Sequence, residues 1–255
     1  MTLHEQNAAA GCPAHDAKQH GEAFADAFST APATTVDEAL TTRRSVRAFL
    51  DRPVPRDDIR EILRLASYAP SGSNFQPWRV YVVTGDTRAA LTAAMYEAYR
   101  GNEPGHEREY RFYMDPIAEP YLSRRRACGW GLYGALGIAR HEKERLAAQR
   151  ARNYLFFDAP VGLIFTLDRR MERGSYVDYG MFLQSIALAA RSRGLHTCAQ
   201  AAIAEFPDIV RRHLGIGDEP MVLCGMAMGY ADPDAVVNQF RPKREPVDAF
   251  ATFLD

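Results

Sequence analysis

Three arginines and a serine fall within five residues, Arg43-Arg44-Ser45-Val46-Arg47, and the chain then turns apolar at Ala48-Phe49. Guanidinium forks bind phosphate oxygens in pairs and stay charged at any working pH, so the segment predicts an anion grip. A solvated basic turn has the same composition, because basic clusters are common on surfaces. Upstream, Thr35-Val36-Asp37-Glu38 has the form of a capping box, which predicts a short helix from about Val36 with Leu40 turned inward. Downstream, Val46 and Phe49 suit a short strand, so the arginines are expected at a helix-to-strand junction.

A second polar segment, Ala69-Pro70-Ser71-Gly72-Ser73-Asn74-Phe75-Gln76-Pro77-Trp78, lies between an amphipathic helix and the apolar run Val80-Tyr81-Val82-Val83. Proline at both ends with Ser, Gly and Asn between predicts a rigid loop that presents backbone N–H groups and an amide to a flat polar ligand. A third basic spacing, Asn238-x-x-Arg241-x-x-Arg244, comes late in the chain.

These three motifs in this order resemble the FMN-dependent nitroreductase family, nearest to its nitrobenzoate reductases, from about Val36 to the C-terminus. The resemblance implies a homodimer with two FMN sites at its interface. It places Arg43 and Ser45 at the FMN phosphate and ribityl chain, Arg44 close by and Arg47 at the pyrimidine edge. Pro70, Ser71, Gly72, Ser73 and Asn74 would line the ring from the other subunit. Gln200 and Ala201 fall where family members bring backbone N–H groups toward the flavin N5, in a sequence that departs from the Gly-containing forms. Arg244 matches the late phosphate-binding arginine with Arg241 as its companion, and Pro242 and Lys243 stand where some relatives carry a lysine.

Composition sets wider bounds. With 255 residues, 47% of them hydrophobic, the chain can bury a substantial core. The balance of 31 basic and 32 acidic residues argues against a nucleic-acid or anionic-membrane binder, so anion binding must be local. Cys12, Cys128, Cys198 and Cys224 are widely spaced, which predicts neither a zinc site nor a disulfide framework and suggests a cytoplasmic protein. Residues 1–33 read as a flexible leader with no secretory signal, and Cys12-Pro13-Ala14-His15 is set aside as a metal pair.

The elements that must position the motifs follow from periodicity. Ile59, Ile62, Leu63 and Ala66 predict one helical face. Val80–Thr84 reads as a buried strand closed by Gly85-Asp86, and a helix follows over about Thr87–Tyr99. Gly101–Arg126 mixes Tyr110, Phe112, Tyr113 and Tyr121 with Arg108, Arg111 and Arg124 to Arg126, as a mobile lid over an aromatic, anionic substrate would, or as a packed surface insertion would. Gly129-Trp130-Gly131-Leu132-Tyr133-Gly134 spells the dinucleotide fingerprint but lacks the strand before it, so it reads as a glycine-rich bend.

Further on, a charged helix is expected over Glu142–Arg152 and a central strand over Ala159–Leu167. A long helix over Asp178–Arg193, stopped at Gly194, carries apolar residues on more than one face. A strand at His196–Gln200, a helix over Ile203–Leu214 and a last strand at Met221–Met228 complete the core. Residues 230–255 form an arm whose Val247, Phe250 and Phe253 need another surface, which in the resembled family is the partner subunit.

The whole reads as one α+β domain over residues 34–255, with a mixed, largely antiparallel sheet flanked by helices. No triad order, H-E-x-x-H or P-loop appears, so no side chain is assigned as catalytic and a redox cofactor is expected to carry the chemistry. The resemblance implies FMN, NADH or NADPH as electron donor, and a nitroaromatic compound, a nitrobenzoate among the candidates, reduced toward the hydroxylamine. Quinones or enones as acceptors, with incidental nitro activity, are the alternative, and a non-catalytic anion-binding module is a third.

Overall fold

The computed structural model describes residues 28–254. The leader's first 27 residues, with Cys12 and the Cys12-Pro13-Ala14-His15 motif, lie outside them. Four strands form one sheet: β1 (Arg79–Val83), β2 (Val161–Asp168), β3 (His196–Gln200) and β4 (Pro220–Gly229), in the order β1-β2-β4-β3 with every neighbouring pair antiparallel. Eight α-helices accompany them among the described residues: α1 (Val36–Thr42), α2 (Arg56–Ala66), α3 (Gly85–Gly101), α4 (Tyr121–Ala135), α5 (Lys143–Ala151), α6 (Arg173–Arg191), α7 (Pro207–Leu214) and α8 (Val236–Gln239). None is long and apolar enough to cross a membrane.

β2 and β4 are buried along nearly their whole length because both sheet faces are covered. Side-chain alternation divides the core accordingly. Val161, Leu163, Phe165 and Leu167 of β2 join Ile59 and Ile62 of α2 and Phe182 and Ile186 of α6. Ile164 joins Leu91 and Met95 of α3 and Ile209 and Val210 of α7 on the opposite face. The Phe156 ring reaches that second face because Gly162 and Gly225 leave space: a Cβ on either would approach the ring to 2.8 and 3.2 Å.

Several sequence-based expectations are corrected here. Val46 and Phe49 form no strand: Ser45 and Phe49 make isolated bridges to Thr197 and Ala231. The Asn238 side chain supplies what a strand partner would, accepting from Arg47 N at 2.8 Å and donating to Ala48 O at 2.8 Å. The capping box forms as expected, but α1 seats on α6 through Ala39 and leaves Leu40 exposed. β1 is not buried, since as an edge strand it leaves Val82 facing solvent. Gly85 opens α3 instead of closing the strand.

The glycine-rich stretch at Gly129–Gly134 is helical, not a bend. It lies inside α4, where a Cβ on Gly131 would come within 2.6 Å of the Phe240 ring, so that glycine admits the ring. The helix expected over Ile203–Leu214 is split into a 3-10 turn at Ala201–Glu205 and α7, because Pro207 has no N–H to continue the ladder and suits a first helical position.

Candidate functional site

A cavity of about 480 Å³ opens between α1, α6 and the C-terminal arm. Arg43, Arg44, Arg47, Arg241 and Arg244 line it together with Ser45, and among the described residues no carboxylate does. Two stretches almost 200 residues apart in sequence are thus joined, and Asn238 makes the joint. Besides its bonds to Arg47 and Ala48, its amide donates to Asp232 O at 2.8 Å, which fixes the arm before the arginines begin. Arg241 then donates to Thr41 O at 2.9 Å, tying the arm back to α1.

Like charges crowd the Arg43 side chain. Burial first, then the neighbouring charges of Arg244 and Arg241, pull the Arg43 guanidinium below its usual value. Crowding like charges costs free energy that a bound anion recovers, so the donor set fits a phosphate. Ser45 is exposed at the cavity wall as a further hydroxyl donor. Arg44 is buried, with its guanidinium 5.3 Å from the centre of the Phe28 ring. Beneath Ser45 the Cys198 thiol is fully enclosed, and burial raises its pKa.

The Pro70–Trp78 loop is strained and is held by hydrogen bonds and a ring stack. Ser73, Asn74 and Gln76 all have left-handed φ values near 50°, a region that costs a non-glycine residue free energy and tends to mark functional loops. Buried Asp178 of α6 accepts from Gly72 N at 3.1 Å, Ser71 Oγ accepts from Gln76 N at 3.0 Å, and Trp78 stacks on Phe182 at 4.6 Å. Gly72 and Ser73 border a second, apolar cavity of about 390 Å³ that shares no lining residue with the arginine cavity. Within one chain, then, the loop and the arginines face separate openings.

Gln200 ends β3, buried, with its amide donating to Asn153 O at 2.6 Å, and Ala201 starts the following 3-10 turn. That turn ends at Glu205, which accepts from both Tyr154 and Arg108. Arg108 belongs to the insertion, whose stem is docked rather than loose. Glu109 accepts from Arg211 at 2.6 Å, from Arg169 and from Val222 N at 2.8 Å, while the Tyr110 hydroxyl donates to Leu223 O.

Sequence reasoning did not find Cys128, Gln184 and Phe240, which also line the arginine cavity. Gln184 carried a signal, a long amide in the largely apolar run 181–190 of α6. Phe240 carried none, since its place depends on the missing Cβ of Gly131 109 positions earlier in the chain.

Comparison with known proteins agrees with this geometry. The model of the Nitroreductase family matches residues 40–230. A chloronitrobenzene nitroreductase of Comamonas testosteroni is 43% identical over 219 residues, 86% of this chain and 96% of that protein. A 4-nitrobenzoate reductase of Pseudomonas putida is 40% identical over 218 residues, 86% of this chain and 95% of the relative. Among solved structures, the FMN and NADPH-dependent nitroreductase NfnB from Sphigopyxis sp. strain HMH superposes with a TM-score of 0.84 at 39% identity, covering 87% of this chain and 99% of that one.

Proposed function

Because the chain belongs to the nitroreductase family, we propose that it is an NAD(P)H-dependent FMN enzyme that reduces nitroaromatic compounds. The observation that carries this reading is the cavity on which five arginines and Ser45 converge. FMN, when bound, supplies hydride chemistry that no side chain here can perform.

The chain's own residues account for binding and orientation. Arg43, Arg244 and Ser45 hold the phosphate and the polar chain beside it, with Arg44 and Arg241 adding to the positive potential and Arg47 reaching the polar edge of the ring. Pro70, Ser71, Gly72, Ser73 and Asn74, strained at Ser73 and Asn74 and tied to Asp178 through Gly72, present backbone and amide groups to the ring of a second copy, in keeping with the separate opening that Gly72 and Ser73 border in one protomer. Gln200 and Ala201 stand at the strand end as backbone donors. A homodimer completes the site, and the exposed Phe250, Phe253 and Leu254 of the arm are the surface it covers.

Purified protein is expected to carry noncovalent FMN with a flavin absorption spectrum, and Arg43→Ala and Arg244→Ala each to lower flavin occupancy on dilution. Full occupancy in both variants would refute the phosphate assignment. Turnover of nitrobenzene and of 4-nitrobenzoate with NADH or NADPH then identifies donor and acceptor. Sedimentation of a flavin-bound monomer would refute the shared site.

A further inference from the structure

Arg124, Arg125 and Arg126 are consecutive, yet their surroundings differ. Arg124 pairs with Glu245 of the arm at 3.0 Å. The Arg125 guanidinium lies 5.1 Å from the centre of the Tyr113 ring. Arg126 meets neither a carboxylate nor a ring among the described residues. With Arg125 it opens on a cleft of about 320 Å³ between α4 and α5, to which α5 contributes Arg150, also without an acidic partner among the described residues.

The rest of that cleft is aromatic and aliphatic. Trp130 and Tyr133 stand 5.9 Å apart and tilted by 55°, and Leu122 and Leu146 add apolar surface. Arg140 lies 4.5 Å over the Trp130 ring, so the positive field extends across the aromatic side. Among the described residues no Asp or Glu lines the cleft. Guanidiniums brought together from two helices without a counter-ion repel one another, and a carboxylate relieves that while matching their fork geometry. A bare inorganic anion satisfies the charge and leaves the rings unused. The volume sits at the small end of ligand pockets and suits a single ring.

We propose that the cleft between α4 and α5 binds a one-ring aromatic carboxylate, held by Arg126 and Arg150 against Trp130 and Tyr133. Its residues are disjoint from those of the arginine cavity, where α4 contributes Cys128. The site goes beyond the flavin reading and stands or falls separately from it.

Calorimetric titration of the purified protein, flavin content recorded, tests this with benzoate, benzamide and inorganic phosphate. Benzoate is expected to bind, with benzamide at least about tenfold weaker. Arg126→Gln and Arg150→Gln should each weaken benzoate by about tenfold or more, while Arg124→Gln leaves it unchanged. All three side chains are exposed, so the folds of the variants should match the parent. Equal affinity for benzoate and benzamide, unchanged benzoate binding in both cleft variants, or displacement of benzoate by equimolar phosphate would each overturn the proposal. A flavin-free protein that still binds benzoate through Arg126 and Arg150 would refute the proposed function and leave this site standing.

Discussion

Arg191 and Arg43 carry the same guanidinium and sit in opposite settings. Arg191 is only 1% exposed and its donors are engaged: Ala31 O at 2.7 Å, Thr42 Oγ1 at 3.2 Å, Leu195 O at 3.4 Å, and Nε2 of His196 at 3.0 Å. Arg43 is half-buried, meets no acceptor through its side chain among the described residues, and is crowded by Arg241 and Arg244. A saturated buried arginine fixes structure, whereas Arg43, crowded by like charges, keeps its donors for a ligand. The two are linked, because Arg191 holds the 28–33 segment from which Phe28 faces both Arg44 and His196.

The comparison breaks most visibly at Arg191. Arg191→Met removes the donor from buried Leu195 O and from the part-buried Ala31 O, Ser29 O and Thr42 Oγ1, and at about 1–3 kcal/mol for a buried unpaired acceptor should cost roughly 3 kcal/mol of stability. A thermal midpoint within a degree or two of the parent would mean that the enclosed guanidinium is not structural.

Arg43→Ala should act oppositely on ligand and fold. Loss of one charge-assisted contact weakens FMN by about 1.5–3 kcal/mol, on the order of tenfold to 150-fold in Kd, read by flavin fluorescence. The flavin-free variant should unfold no earlier than the flavin-free parent, and addition of phosphate should stabilise the parent more than the variant.

Stability also depends on pH through His196. Burial, reinforced by the Arg191 charge, lowers the His196 pKa to about 3 from 6.5. The unfolded chain therefore binds the extra proton across the window between those values, and stability falls as pH falls through it. Full stability is present above about pH 6.5, and about 2 kcal/mol should be lost between pH 7 and pH 5. Urea midpoints should show this slope, and His196→Gln should flatten it. An unchanged slope in that variant would assign the acid sensitivity elsewhere.

The smallest effect sharpens the cluster itself. Added neutral salt should raise the stability of the flavin-free protein by a few tenths of a kcal/mol, because like charges near the surface are screened within about 10 Å at 0.1 M. The gain should vanish in Arg43→Ala. A salt response equal in both proteins would mean that Arg43, Arg241 and Arg244 do not repel one another appreciably.

Much was written in local sequence, because it rests on interactions within a few residues. The capping box at Thr35 and Glu38, the apolar face of α2, the buried run of β2 and the stop near Gly194 were all legible from spacing. The arginine motifs were legible too, since residue type alone fixes their charge and fork geometry.

Tertiary structure decided what distance in sequence conceals. Asn238 replaces a strand at Val46–Phe49 with side-chain bonds, which no local pattern reveals. The stretch Gly129–Gly134 lies within α4, and Phe240 packs where a Cβ would stand on Gly131. Edge position, not composition, left β1 exposed. The sequence by itself determined which groups could bind an anion; only the fold determined that Arg43 would wait among like charges while Arg191 was enclosed, because a guanidinium's role is set by the acceptors that long-range packing brings within about 3 Å of it.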